Sequence, residues 1–218
     1  NHVIPILSGG TGLYVQSLLE NYNFNDIKPN TKLRNELDEL YTEYGVNGLR
    51  EYARNLAEKG GIEIKYTDKH RLYRAIELMT AGDYKSLIKQ TKEGLSYKGP
   101  VIGLQRERSD LYNRINRRVE IMFEKGLVDE VKQLLKNGVN PNCQAFKGIG
   151  YKEVVQYLEG LISYDACVDL IQKNTRHFAK RQITWYKRMP YIEWITIDSQ
   201  TTEAEIYGMV CNIIDSSF

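Results

Sequence analysis

Four groups of residues have types and spacings that suit chemistry on a phosphorylated substrate. The first is Ser8-Gly9-Gly10-Thr11-Gly12, which stands between an apolar run, His2 to Leu7, and the helical spacing of Leu13, Tyr14 and Leu18. Glycines let backbone N–H groups close on an anion, and a helix N-terminus adds positive potential. Thr11 would place a hydroxyl at the C-terminal end of a strand, where open α/β sheets bind ligands. The run lacks the lysine of a Walker loop, G-x-x-x-x-G-K-[ST]. The competing reading is a tight turn that needs glycine. The second group is Arg106, Arg108, Arg114, Arg117 and Arg118. Arg114 and Arg118 share a helix face beside the apolar stripe of Leu111, Ile115 and Val119, where two guanidinia suit a diphosphate. The competing reading is a solvated basic helix with partners such as Glu120.

The third group is Lys173, Arg176, His177, Lys180, Arg181, Lys187 and Arg188, with Phe178, Trp185 and Tyr186 interleaved and no acid between Asp169 and Glu193. A helix face of one charge sign with aromatics is the footprint expected for a phosphate backbone. A merely solvated face is the alternative. The fourth is Asp68 to Glu77, in which Arg71 and Arg74 share a face and could reach RNA or pair with Glu77 and Asp68. No Ser/His/Asp set, carboxylate dyad or zinc spacing is present. His2, His70 and His177 lack metal-ligand spacing, so no metal site is assigned.

These groups need elements to hold them. The chain has 218 residues, 42% hydrophobic and 27% charged, with net charge +2, which suits one sizeable core, or one core with a small appended domain. No apolar run is long enough to span a bilayer. The three cysteines are far apart, which favours a reducing, cytoplasmic setting. Strands are expected at residues 2–7, 101–104 and 192–197, and the run Pro29 to Tyr97 reads as helical. Helices are also expected from Leu111 to Leu135, closed by Gly138, from Ser163 to Arg188, and from a capping box at Thr202 to Glu205. The fold expected is α/β: a partial P-loop-type parallel sheet with flanking helices, built from residues 1–28 and 98–218, plus a mainly helical insertion at 29–97.

Taken together, these segments resemble the tRNA dimethylallyltransferase (tRNA isopentenyltransferase) family. The match rests on Gly9-Gly10-Thr11-Gly12-Leu13-Tyr14, on Asp68 to Glu77, and on Arg114 to Val119 continuing to Gly126-Leu127 and Glu130-Val131. It rests further on Gly148-Ile149-Gly150-Tyr151 and on Thr175 to Trp185, the most specific stretch. The resemblance implies transfer of a prenyl group from dimethylallyl diphosphate to N6 of the adenosine 3′ of a tRNA anticodon. It implies that Arg118 contacts the diphosphate, and the shared helix face of Arg114 and the glycine turn at Gly10 add these two as expected diphosphate-binding residues. It gives Thr11 a place at the reacting adenine and makes Thr11 and Arg118 the catalytic residues. It implies tRNA contacts for Arg34, His70, Arg71 and Arg74, for Lys147, Gly148, Ile149, Gly150, Tyr151 and Lys152, and for Arg176, His177, Lys180 and Arg181.

The family's P-loop and base-like aspartate, which precede the glycine turn, have no counterpart in these residues. Mg2+, the family cofactor, is therefore expected to be held mainly by that segment, and the chain alone is expected to be inactive. A tRNA anticodon stem-loop and dimethylallyl diphosphate are the expected partners, with no membrane and a monomeric state. The alternatives are an adenylate isopentenyltransferase acting on a free nucleotide and a non-catalytic RNA-binding remnant. The helical insertion and the basic run at Lys173–Arg188 count against the free-nucleotide acceptor.

Overall fold

The computed structural model describes residues 5–22, 26–88 and 95–217. The chain divides into two compact units, Asn1–Val15 with Tyr97–Phe218, and Gln16–Ser96.

The larger unit contains, among the described residues, one parallel pair of strands, β1 (Val101–Gln105) and β2 (Ile192–Thr196), in the register Val101 to Ile192 through Gln105 to Thr196. Gly103 is glycine because a Cβ there would meet the Ile192 and Trp194 side chains at 2.8 Å. Parallel strands need a long crossover, supplied here by four helices. Counting α1 to α3 as the helices that precede β1, these are α4 (Arg108–Glu124), α5 (Leu127–Lys136), α6 (Tyr151–Leu158) and α7 (Tyr164–Tyr186). Their core is Val119, Leu127, Val131, Phe146, Val154, Cys167 and Ile171, all buried. The final helix α8 (Glu203–Ser217) starts with the expected capping box. The Thr202 N–H donates to the Glu205 carboxylate at 2.8 Å, and the Glu205 N–H donates back to Thr202 Oγ1 at 3.3 Å.

Of the strand expected at 2–7, residues 2–4 lie outside the described residues. Pro5, Ile6 and Leu7 are outside any strand, with Ile6 90% exposed. A strand forms only where a neighbour takes its backbone N–H and C=O groups, and among the described residues β1 and β2 pair only with each other. The helix expected after the glycine turn is α1 (Gly12–Leu19), but its orientation differs from the apolar spacing. Leu13, Tyr14 and Leu18 are exposed, whereas Gln16 and Ser17 are buried. Gln16 tolerates burial because its amide donates to both Glu20 carboxylate oxygens at 3.0 Å.

The smaller unit is built on α2 (Thr31–Lys59) and α3 (Lys69–Thr80), around Leu33, Leu37, Leu49, Ala53, Leu72 and Ile76. Asn30 and Asp68 cap the two helices by accepting from the Leu33 and Arg71 N–H groups. Gly45, at φ 63 and ψ −156, breaks α2 into two parts. Tyr44, immediately before the break, is 59% exposed although it continues the Leu33–Leu37–Leu40 spacing.

Candidate functional site

The glycine turn is held by α7. Gly10 C=O accepts a 2.8 Å hydrogen bond from Gln182 Nε2. A Cβ on Gly10 would collide with that same amide, and one on Gly12 would collide with the Trp185 indole. Close approach of the rigid indole, more than backbone freedom, therefore favours glycine at position 12, whereas at position 10 a Cβ would displace the end of the Gln182 side chain and its hydrogen bond. Thr11 C=O accepts from the Tyr14 and Val15 N–H groups at 3.0 and 3.2 Å and so starts α1. Thr11 itself is exposed, and its hydroxyl makes no hydrogen bond among the described residues. Beneath the turn, Trp185 Nε1 and the Tyr186 hydroxyl are buried without a hydrogen-bond partner among the described residues. Desolvation raises the Tyr186 pKa above its ordinary value, which keeps the phenol neutral.

The arginines on helix α4 and just before it divide into paired and unpaired. Arg106 pairs with Asp110 at 2.8 Å, and Arg117 pairs with Glu120 and Glu124 at 3.1 and 3.3 Å. Arg114 and Arg118 are exposed and have no ion pair or side-chain hydrogen bond among the described residues. Ile115 and Val119 beside them are buried, so packing anchors the helix while two guanidinia stay free for an anion.

A carboxylate joins two of the other groups. Glu153, 3% exposed, accepts from the Gly150 N–H at 2.8 Å and from Asn174 Nδ2 at 2.8 Å. It thereby ties the Lys147–Lys152 segment to α7. Lys147, Gly148, Ile149 and Lys152 are exposed, Gly150 is buried at φ 106, and the Tyr151 hydroxyl donates to Glu130. Burial, with the Glu153 carboxylate second, pushes the Cys167 thiol up to about 11. Along α7, Lys173, His177, Lys180, Arg181, Lys187 and Arg188 are exposed, and the Arg181 guanidinium lies over the Phe178 ring at 6.0 Å. Arg176 is placed differently from its neighbours. It is half-buried and donates to Asn116 Oδ1 at 2.5 Å, bracing α7 against α4.

In the smaller unit, Glu77 gathers two of the arginines. Its side chain is 1% exposed. It accepts from Arg34 Nε and Nη2 at 2.7 and 3.0 Å, from the Asn30 N–H at 3.0 Å and from Arg74 Nη1 at 3.4 Å. Burial alone would raise its pKa, but the hydrogen bonds from Arg34 and Asn30 outweigh it and hold the carboxyl below its ordinary value. Arg71 and His70 are exposed on the same helix. Asp68 is used by the cap and takes neither guanidinium.

The family model described as IPP transferase matches residues 1–189. The tRNA dimethylallyltransferase of Clostridioides difficile (strain 630) is 36% identical over 216 residues, covering 97% of this chain and 68% of that protein. The chain belongs to the IPP transferase family. A second relative in this family, the tRNA dimethylallyltransferase of Alkaliphilus metalliredigens (strain QYMF), is 36% identical over 214 residues, covering 96% and 68%. Two solved structures are similar as well. The full-length tRNA isopentenylpyrophosphate transferase of Bacillus halodurans matches with a TM-score of 0.59 and 33% identity, covering 96% of this chain and 66% of that one. The tRNA delta(2)-isopentenylpyrophosphate transferase of Staphylococcus epidermidis matches with a TM-score of 0.60 and 33% identity, covering 96% and 68%. The chain thus spans about two thirds of the length of these IPP transferase relatives.

Three residues that hold these groups together escape sequence reasoning. Asn116 and Gln182 lie within the motif stretches and Glu153 just after one, and their partners lie 60, 172 and 21 positions away. Only the absence of a nearby complementary residue hints at such long-range roles. Among the described residues no group of three His, Cys, Asp or Glu side chains could hold a metal ion. The described residues therefore offer magnesium no such set of ligands. Among the same residues no helix is long and apolar enough to cross a membrane.

Proposed function

We propose that this chain is part of a tRNA prenyltransferase that moves a dimethylallyl group from dimethylallyl diphosphate to N6 of the adenosine 3′ of the anticodon. In that reaction N6 bonds to the allylic carbon, the carbon–oxygen bond to diphosphate breaks, and diphosphate leaves with the bonding electrons. The N6 proton passes to a base or to water. The observation that carries the reading is the locking of the Gly10–Gly12 turn onto Gln182 and Trp185 of α7. That contact unites the exposed Thr11 hydroxyl with the acid-free basic run from Lys173 to Arg188 in one unit.

Each part has a role in the proposal. The unpaired Arg114 and Arg118 neutralise charge that develops on the departing diphosphate. Thr11 hydrogen-bonds the acceptor adenosine. Exposed Lys180, Arg181, Lys147 and Lys152 hold the phosphate backbone of the anticodon arm, with Arg34, His70, Arg71 and Arg74 contributing from the smaller unit. Arg176 and the Gly148–Tyr151 segment shape that surface, Arg176 through Asn116 and the segment through Glu153. A magnesium requirement, a cytoplasmic setting and a monomeric state accompany the reading.

The test is transfer of label from dimethylallyl diphosphate by the full gene product that carries this chain. The acceptor is a tRNA with adenosine after its anticodon. Label should enter that tRNA and not one with guanosine in its place. Label entering free AMP at the same rate would make the enzyme an adenylate prenyltransferase. No transfer, with RNA binding intact, would leave an RNA-binding protein.

A further inference from the structure

The smaller unit carries a cleft that none of the groups above uses. It has a volume of about 640 Å3 and is lined by Asn47, Arg50, Glu51, Arg54, Ile64, Lys65, Tyr66 and Leu72. Asn47, Arg50, Glu51 and Arg54 follow the i, i+3, i+4, i+7 spacing, so they form one stripe on the second half of α2. Leu49, Ala53 and Ala57, on a different face of that helix, are buried in the core. The opposite wall is the extended segment 62–66. There Ile62, Ile64 and Tyr66 are half-buried, and Glu63 and Lys65 are exposed.

Both walls leave donors unused. Arg50 and Arg54 are exposed one helical turn apart, with no ion pair or side-chain hydrogen bond among the described residues. Among the described residues Lys65 pairs only with Glu63, at 3.3 Å with both side chains largely exposed, where such a pair contributes little. The backbone N–H groups of Glu63, Ile64, Lys65 and Tyr66 make no hydrogen bond among the described residues. The Tyr66 ring and the Ile64 and Leu72 side chains supply an apolar floor.

We infer that this cleft is a second RNA-binding site, in which Arg50 and Arg54 hold neighbouring backbone phosphates while Tyr66 packs against the ribose or base between them. Two unpaired guanidinia one turn apart match a repeating anion better than a single one, and a sugar or base explains the aromatic floor that a free phosphate would not use. The cleft is also too large for one phosphate group. The inference rests on the proposed tRNA substrate and extends the RNA contact to a face that includes none of Arg34, His70, Arg71 or Arg74.

The experiment is titration of the 218-residue chain with an anticodon stem-loop RNA between roughly 50 and 200 mM salt. The variants are Arg50→Ala/Arg54→Ala, Tyr66→Leu, Lys180→Ala/Arg181→Ala, and Lys136→Ala as a surface control. The expected result is affinity about tenfold lower for the Arg50/Arg54 double variant, with the salt slope reduced by between about 1 and 2. Tyr66→Leu should weaken binding without changing the slope, and Lys136→Ala should change neither. An Arg50/Arg54 variant that binds like the parent, while Lys180→Ala/Arg181→Ala binds weakly, overturns the cleft and leaves the proposed function standing. A parent chain that is folded and binds no RNA at any salt overturns the RNA reading and the cleft together. Equal loss of affinity for inorganic pyrophosphate in the double variant marks a small-anion site and likewise overturns the inference.

Discussion

Gln182 donates its side-chain amide to Gly10 across 2.8 Å and 172 positions of sequence, joining the glycine turn to the last turns of α7. Trp185, one turn further on, lies where a Cβ on Gly12 would stand. The turn and the basic helix therefore move as one body. Gly12→Ala must push the indole aside and should destabilise the chain by about 1–3 kcal/mol, as overpacking does. Gly9→Ala, where a Cβ meets nothing within 4 Å, should be close to neutral. Urea unfolding of the two variants decides the matter, and equal midpoints would show that Trp185 yields freely.

Arg118 is exposed and unpaired among the described residues, beside a buried Val119 that fixes its helix. Such a guanidinium does nothing for stability and is available to a diphosphate. Arg118→Ala in the full gene product should lower kcat on the order of 10²-fold, as for loss of a preorganised donor, with the unfolding midpoint unchanged. Arg117→Ala, whose guanidinium is already engaged by Glu120 and Glu124, should leave kcat within about twofold. Single-turnover transfer measures both. An Arg118→Ala enzyme with parental turnover would remove the residue from the mechanism.

Much of this organisation was readable from the chain alone, and what was not has a common physical reason. The Thr202–Glu205 capping box, the αL Gly138 after α5 and the two paired strands are local signals, each carried by a few adjacent residues. The orientation of α1 was not local. Leu13, Tyr14 and Leu18 look like a core face, yet Gln16 and Ser17 are the buried residues. Nor was the break at Gly45, since an isolated glycine in a helical pattern is usually tolerated. The basic residues could be listed by type, but which of them are paired was hidden. Arg176 and Arg34 are tied to Asn116 and Glu77, 60 and 43 positions away, whereas Arg114 and Arg118 have no such partner among the described residues. Pairing of that range is set by the fold.

Glu77 makes the smaller unit sensitive to acid. Its folded pKa is depressed, so the stability it contributes is fully present above its ordinary value and is lost as pH falls through the lower folded value. Unfolding of the chain should therefore become easier below about pH 4.5. Glu77→Gln should flatten that dependence. Arg34→Ala, which leaves the carboxylate buried with fewer donors, should cost about 3 kcal/mol at neutral pH. Arg71→Ala should cost under about 0.5 kcal/mol, because Arg71 is exposed. Thermal unfolding followed between pH 3 and pH 7 checks the sign, and a Glu77→Gln chain with the parental profile would assign the acid response elsewhere.

The link through Glu153 can be separated from general packing. Its carboxylate takes both the Gly150 N–H and the Asn174 amide, so Glu153→Ala frees the Gly148–Tyr151 segment from α7 and leaves two buried donors unpaired. The cost should be about 2–4 kcal/mol. Glu153→Gln keeps one acceptor oxygen and should recover about half of it. Cys167 reports the same event. Burial first, and Glu153 second, hold its thiol near 11, so at pH 8 only about one thiol in a thousand is ionised. In the folded parent, Cys167 should resist alkylation at that pH while unfolded chain reacts. Loosening the segment in Glu153→Ala should raise its alkylation rate at least tenfold, measured by mass spectrometry of the Cys167 peptide at a urea concentration where the chain stays folded. An unchanged rate in a Glu153→Ala chain that has lost RNA affinity would show that the segment is held by packing of Phe146 against Tyr151, with Glu153 acting only through its charge.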